Sequence, residues 1–320
     1  MPSLLPDTFC VFILTHGRPD NVITYKTLQR CGYTGRLYLV VDDEDKAVDR
    51  YRKNFGVERV IVFDKKAEAD ACDEGNNFDE RRTILMARNA CFGIAERLGV
   101  THFVELDDDY TDFRFKLEET GNHLAIINRL DGIFGAFLRF YVESGAASIA
   151  FAQNGDFMGG FDNGKGLYRF SKRKCMNTFF CSTLRPFRFV GAMNEDVNTY
   201  TTLGGRGDLF LTVPFAAINQ KATQSQAGGI SGMYARFGTY CKAFTTVMMM
   251  PSAVRVSMMQ SKTPRIHHSI DWARAVPCIV PERYRKLEPS ALLQHQAWML
   301  RRAPPGSDGA RLRQLLGAAS

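Results

Sequence analysis

The chain has 320 residues, of which 45% are hydrophobic, 12% aromatic and 23% charged; this excludes a disordered or fibrous protein and allows one large globular domain with an extension. The formal net charge of +7 favours polyanionic partners without naming one. Cys10, Cys31, Cys72, Cys91, Cys175, Cys181, Cys241 and Cys278 include no Cys-x-x-Cys pair, which excludes zinc spacing and points to reduced thiols in a cytoplasm-like compartment.

In chain order, Met1 to Thr8 carries two prolines and an aspartate and no positive leader. Phe9 to Leu14 is a continuous apolar run. It is too short for a signal-peptide core or a membrane span and reads as a buried strand, so a soluble protein with no membrane partner is expected. Thr15-His16-Gly17-Arg18-Pro19 is a turn, after which Asp20 or Asn21 is expected to cap a helix ending at Arg30. A strand over 36–41 closes on Asp42-Asp43-Glu44-Asp45. A helix to Asn54 and a strand over 59–63 follow. This β-α-β-α-β alternation predicts an α/β fold with a mostly parallel sheet and helices on both faces. The polar stretch 65–78 reads as a loop. Asp79 is expected to cap a helix that buries Ile84, Ala87, Cys91, Ile94 and Leu98 on one face, with Arg81 and Arg88 flanking that face and Arg82 pointing away.

The stretch Thr101 to Tyr110 decides the chemistry. His102 to Leu106 predicts a buried strand, and Asp107, Asp108 and Asp109 follow where it ends. Adjacent carboxylates repel one another; a hard divalent cation such as Mg²⁺ or Mn²⁺ removes that repulsion, and a solvated acidic turn is the alternative reading of the triplet alone. The end of a strand is also where open α/β sheets place their ligands.

Beyond it, 124–141 reads as a long amphipathic helix and 147–152 as a strand. Glycines at 155, 159, 160, 164 and 166 suit a loop close to a ligand. From Asn163 to Asn194 there is no acidic residue, while Lys165, Arg169, Lys172, Arg173, Lys174, Arg185 and Arg188 alternate with aromatics such as Phe187 and Phe189. That pattern suits a nucleic acid, cations meeting phosphates and rings stacking on bases. The same pattern also describes a solvated strand with aromatics in the core. A helix is expected to begin at Asn194-Glu195-Asp196, a strand over 209–213, a flap over 221–232, and short strands at 254–256 and 265–268. Composition shifts after Pro277, so the expected division is a domain over 1–276 and a basic extension over 277–320.

Ala87-Arg88-Asn89, an Ala-rich helix ending at Gly99, an apolar strand and Leu106-Asp107-Asp108-Asp109 resemble the core of a GT-A nucleotide-sugar glycosyltransferase. Thr15-x-x-Arg18-Pro19, the Asp triplet, Glu195-Asp196-Val197-Asn198 and Ile266-His267-His268 narrow the resemblance to the TET-associated glycosyltransferases of bacteriophages. The resemblance implies a UDP-sugar donor, UDP-glucose by expectation, a Mn²⁺ or Mg²⁺ cofactor, and transfer to 5-hydroxymethylcytosine in DNA with inversion. It places Thr15, Arg18, Asp43, Arg88, Asp107 and Asp108 around the nucleotide, Asp42 being the alternative to Asp43. Asp109 and Asp107 become metal ligands with His267 or His268. Adjacent strand residues face opposite ways, so only one histidine can serve, and His267 is preferred. Lys262 and Arg265 are candidates for the diphosphate. Asp196 is the candidate base beside Glu195, although a helix N-terminus favours carboxylates anyway. Lys172, Arg173, Lys174, Arg185 and Arg188 are the candidate DNA contacts. No protein partner is expected. Transfer to a protein or glycan hydroxyl, or sugar nucleotidyl transfer, would use the same sheet and metal. A non-catalytic nucleic-acid-binding protein would leave Asp107 to Asp109 unexplained.

Overall fold

A strand covered on both faces must be apolar at every position, and Phe9–Leu14 (β1) is buried at all six. Its alternate side chains serve two cores. Phe9, Val11 and Ile13 enter one, with Leu39, Val41, Val104 and Leu106. Cys10, Phe12 and Leu14 enter the other, with Val40 and Phe103. The computed structural model describes residues 5–75, 81–116, 124–153, 175–220, 240–259 and 265–277. All fall within the first of two compact units, Met1–Cys278; the second, Ile279–Ser320, lies outside the described residues.

The strands that follow are β2 (Arg36–Asp42), β3 (Val60–Phe63), β4 (His102–Asp107), β5 (Tyr110–Lys116), β6 (Leu124–Ile126), β7 (Ser148–Gln153), β8 (Phe179–Ser182) and β9 (Phe210–Gln220). They form one sheet in the order β3-β2-β1-β4-β8-β7-β9-β5-β6. Parallel pairing joins β3, β2, β1 and β4, and also joins β7 to β9. Antiparallel pairing sets only β8 and β5 against that direction. The sheet is therefore mainly parallel, as the alternation of elements predicts. Because β1, β2, β4, β7 and β9 point the same way, Leu14, Asp42, Asp107, Gln153 and Gln220 all mark one edge of the sheet.

Helices α1 (Ile23–Arg30) and α5 (Leu130–Ser144) cover one face. Helices α4 (Leu85–Arg97) and α6 (Glu195–Gly205) cover the other. Phe134 of α5 meets Phe9, Phe113, Phe151 and Phe180 edge-on at 5.6–6.1 Å; such pairs add about 0.5–1.5 kcal/mol each beyond burial. Helix α2 (Val48–Phe55) follows β2, and α3 (Lys65–Asp70) follows β3. Helix α7 (Tyr240–Met249), the hairpin of β10 (Val254–Met259) and β11 (Arg265–Ile270), and α8 (Trp272–Ala275) complete the unit. Tyr200 of α6 stacks on Trp272 of α8 at 5.8 Å. The two helices meet at Gly204, where an added Cβ would sit 2.2 Å from the Ala275 carbonyl oxygen. Among the described residues no helix is long and apolar enough to cross a membrane.

Several local expectations need correction. Helix α1 starts at Ile23 and has no side-chain cap. The polar stretch after Asp64 is helical over Lys65–Asp70, because Asp64 caps it by accepting from Ala67 N at 2.8 Å. The expected long helix over 124–141 is the strand β6 followed by α5 from Leu130. Apolar spacing alone does not separate a short edge strand from the start of a helix. Asp79, the glycine-rich stretch 154–166 and the stretch 221–232 lie outside the described residues.

Candidate active site

Asp107 ends β4, and Asp108 and Asp109 make the turn into β5. The backbone is fixed from α1: Thr24 Oγ1 donates to the Asp107 carbonyl at 2.5 Å and accepts from Tyr110 N at 2.9 Å. The three carboxylates then separate. Asp108 is buried and accepts from Thr15 Oγ1 at 2.7 Å and Arg18 Nη1 at 3.2 Å. Since the Thr15 proton goes to Asp108, Tyr51 donates its own to Thr15 at 2.9 Å and accepts from Arg18 N at 2.8 Å. Thr15 and Arg18 thus brace the turn through Asp108.

Asp107 faces the opposite way, onto Arg88. Arg88 is 1% exposed. Its guanidinium donates to Asp107 Oδ1 at 3.0 Å, Glu105 Oε2 at 3.4 Å and Glu195 Oε1 at 3.2 Å. Phe179 and Phe189 lie 4.9 Å and 5.7 Å from its centre. One cation is shared by three acids, and burial decides their protonation. Burial pushes Glu105 up to about 8 and Asp107 up to about 7, with Arg88 opposing both. Asp109, Glu195 and Asp108 raise Asp107 further. Glu195 is raised by burial and then by Asp196. Burial also raises Asp108, against its Thr15 and Arg18 bonds.

Carboxylates outnumber cations in this cluster, and Asp107 and Asp109 at the turn are the side chains that could meet a hard divalent cation. No group of three His, Cys, Asp or Glu side chains among the described residues is arranged to hold a metal. His267 and His268 lie on β11, with rings 4.2 Å apart; His268 is buried and His267 half-buried.

Glu195 and Asp196 open α6. The residue before them, Asn194, is left-handed (φ 57°, ψ 42°), a conformation that costs a non-glycine residue energy and needs support. Its Nδ2 donates to Lys242 O at 2.6 Å and Thr246 Oγ1 at 2.9 Å, tying the start of α6 to α7. Asn89 grips the preceding loop, its amide donating to Phe189 O and accepting from Phe189 N. Asp196 is buried and accepts from Val197 N at 2.7 Å.

At the end of β2, Asp42 is buried and Asp43 exposed. Asp42 bonds His16 Nδ1 at 2.6 Å and accepts from Lys65 Nζ at 3.2 Å. Burial alone would raise Asp42; His16 and Lys65 outweigh it and hold it below the usual range. Asp43 Oδ1 accepts from Lys65 N at 3.0 Å. His16, half exposed, is raised chiefly by its bond to Asp42. Arg81 pairs with Glu44 at 2.9 Å.

Of the candidate DNA contacts, Lys172, Arg173 and Lys174 lie outside the described residues, as do Lys262 and the Arg265 side chain. Arg185 donates to Tyr141 O at 3.1 Å with its guanidinium 4.3 Å from the Tyr141 ring, on the α5 side. Arg188 donates to Glu68 of α3 at 3.1 Å. Phe189 is fully buried, and Phe187, half-buried, packs on Phe92, Phe189 and Phe210, so these two rings belong to the core.

Glu105, Asn89, Asn194, His16 and Lys65 hold positions in this cluster that no sequence expectation assigned to them. A lone glutamate inside the apolar strand His102–Leu106 is a legible signal for Glu105. His16 lies within the Thr-x-x-Arg-Pro motif, while nothing local marks Lys65.

Residues 9–229 match the family model of the TET-associated glycosyltransferases. The chain belongs to that family. It is a glycosyltransferase, and its sheet is the mainly parallel α/β arrangement that the alternation of elements predicts. Solved structures similar to the glycosyltransferase include glucosyl-3-phosphoglycerate synthase from Mycobacterium tuberculosis with Mn²⁺, UDP and phosphoglyceric acid (10% identity, TM-score 0.39, 87% of this chain and 91% of that one). Others are residues 1–349 of TarS from S. aureus with UDP-GlcNAc (12%, 0.37, 75% and 66%) and the mannosyltransferase PcManGT from Pyrobaculum calidifontis with GDP-Man and Mn²⁺ (9%, 0.39, 79% and 76%). Likeness at this level assigns no ligand to the glycosyltransferase. No curated protein matches the chain.

Proposed function

We propose that this enzyme transfers a sugar, with inversion, from a UDP-sugar to the hydroxymethyl oxygen of 5-hydroxymethylcytosine in DNA. The observation that carries the reading is Arg88, whose guanidinium bonds both Asp107 of the donor turn and Glu195 beside the candidate base. Donor and acceptor carboxylates are thereby held in one frame. The family match, the net charge of +7 and the acid-free span 163–194 support DNA as acceptor.

In this reading Thr15, Arg18 and Asp43 border the nucleotide, with Asp108 bracing the first two. Asp109 and Asp107 hold Mn²⁺ or Mg²⁺, joined by His267 or His268, and Lys262 and Arg265 meet the diphosphate. A cation held there would supply positive charge against the leaving diphosphate. Asp196 takes the proton of the acceptor hydroxyl, a poor nucleophile at neutral pH. The oxygen attacks the anomeric carbon from the side opposite the diphosphate. The bond from that carbon to the diphosphate oxygen breaks, and its electron pair leaves with UDP. Glu195, engaged by Arg88, sets the position of its neighbour. Free thiols at the described cysteines suit a reducing cytoplasm.

The test incubates the enzyme with a panel of UDP-sugars, Mn²⁺ and DNA containing 5-hydroxymethylcytosine, then digests the DNA and weighs the nucleosides. A hexose added to the modified nucleoside, with UDP-glucose the best donor, is expected. Sugar appearing on a protein or glycan hydroxyl but never on the DNA overturns the reading.

A further inference from the structure

Three amide side chains outside the machinery above gather where β7 and β9 end. Gln153 is the last residue of β7, Gln220 the last of β9, and Asn177 lies two residues before β8. Strand register sets Gln220 opposite Tyr110, the residue after Asp109. The amides therefore adjoin the carboxylate turn. Tyr110 fastens them by donating its hydroxyl to Asn177 O at 2.5 Å. Asn177 is left-handed at φ 66°, one of two such non-glycine residues among those described. Backbone strain of this kind persists where the surroundings enforce it, often at ligand clamps. All three side chains are half-buried.

Their hydrogen bonds leave a defined pattern. Asn177 Nδ2 donates to Gln220 Oε1 at 2.7 Å and Gln153 Oε1 at 3.4 Å. Gln153 Nε2 donates to Met176 O at 3.5 Å. Among the described residues this leaves Asn177 Oδ1 as an open acceptor and Gln220 Nε2 as an open donor, on two side chains joined by the 2.7 Å bond. Cytosine offers the complement, since its N4 amino group donates and its N3 accepts. Uracil offers the reverse, O4 accepting and N3–H donating. Position agrees with chemistry. The parallel strands β3, β2, β1 and β4 form the half of the sheet assigned to the nucleotide, and the amides stand on the other half, across the Asp107 turn.

We propose that Asn177 and Gln220 read the Watson–Crick edge of the acceptor base and select cytosine over uracil, with Gln153 helping to orient the pair. This rests on the proposed function. A base extruded into a pocket is read in this way by hydrogen bonds to that edge. The C5 hydroxymethyl group neighbours the N4 side of the ring, so a base gripped at N4 and N3 turns its hydroxyl toward the adjacent aspartate turn.

Two oligonucleotides identical except for one 5-hydroxymethylcytosine or 5-hydroxymethyluracil give the readout, the ratio of kcat/KM on the two at a fixed UDP-sugar. Wild type should favour the cytosine form. Gln220→Met keeps the length and loses the donor. Asn177→Gly keeps the left-handed backbone and loses the acceptor. Each should lower the ratio by about ten- to a hundredfold, the range for one bidentate base contact. An unchanged ratio, including equal losses on both bases, overturns the assignment and leaves the proposed function standing, as does a wild type indifferent to the base. Absence of sugar on either DNA overturns the proposed function and this assignment with it.

Discussion

In the proposed roles Asp109 and Asp196 serve different partners, so their variants should fail in different ways. Asp109→Asn removes a charge from the cation and should abolish most turnover while raising the Mn²⁺ concentration needed for half-maximal activity. Asp196→Asn should lower kcat by ~10²–10⁴-fold, the usual cost of losing a general base, and leave UDP-sugar affinity close to wild type. Steady-state kinetics with metal titration separates the two, and the roles are wrong if Asp196→Asn weakens donor binding while Glu195→Gln carries the rate loss. His16 gives a pH signature. Its pKa is raised in the folded chain by Asp42, with Asp45 adding and Lys65 opposing. The raised folded value means its contribution is fully present below the unfolded pKa of about 6.5 and is lost as pH rises through the folded pKa. Urea midpoints at pH 5.5 and 8 should show wild type losing its advantage over His16→Gln at the higher pH. At this scale the sequence was partly legible. Asp107 to Asp109 announce themselves as a charge cluster, whereas the split of Asp108 toward Thr15 and of Asp107 toward Arg88 depends on partners 93 and 19 residues away.

Elements that carry one continuous pattern were readable, and those that depend on their neighbours were not. β1 and β4 are apolar runs covered on both faces, so composition alone identifies them. β5 and β6 are the last two strands at one end of the sheet, and the polar residues of β5 at Asp112, Arg114 and Lys116 hide that strand. Helix α6 was expected at the right place, but its start is set from outside, by the Asn194 amide bonds to α7. That support can be tested. Asn194→Gly accepts φ near 57° without strain and loses the tether; Asn194→Ala loses the tether and carries the left-handed penalty. Urea unfolding should find the alanine variant less stable than the glycine variant by about 1 kcal/mol. Both variants should lose turnover, because Glu195 and Asp196 follow directly.

At the scale of the whole molecule, the charge of +7 is expected to act through DNA phosphates. Binding to DNA should weaken steeply as salt rises, since each neutralised phosphate releases counterions. Replacing Lys172, Arg173 and Lys174 together with alanine should reduce the slope of log K against log salt by about 0.7 for each phosphate left without its cation on single strands. Fluorescence anisotropy across a salt series measures it, and an unaltered slope removes these three from the interface. Arg185 and Arg188 should add little to that slope, because their guanidinium groups are committed to Tyr141 and Glu68 on opposite faces of the sheet.

By itself the sequence determined the fold class, the mainly parallel sheet and the strand-end carboxylates, because alternating apolar periodicity and adjacent like charges are local properties of a chain. It also carried the short motifs by which the family is known. Only the tertiary structure decided which side of each motif faces the site. Arg88 is the plainest case: its place on the α4 helix marks it as flanking a buried face, and only the packing of β4 and α6 against α4 supplies the three carboxylates that hold it. The amides of Gln153, Asn177 and Gln220 are the same kind of fact. They are far apart in the sequence and meet because parallel strands end at a common edge and an antiparallel strand begins there. Strand order and register are long-range choices, made by burial on both faces at once, and no local pattern records them.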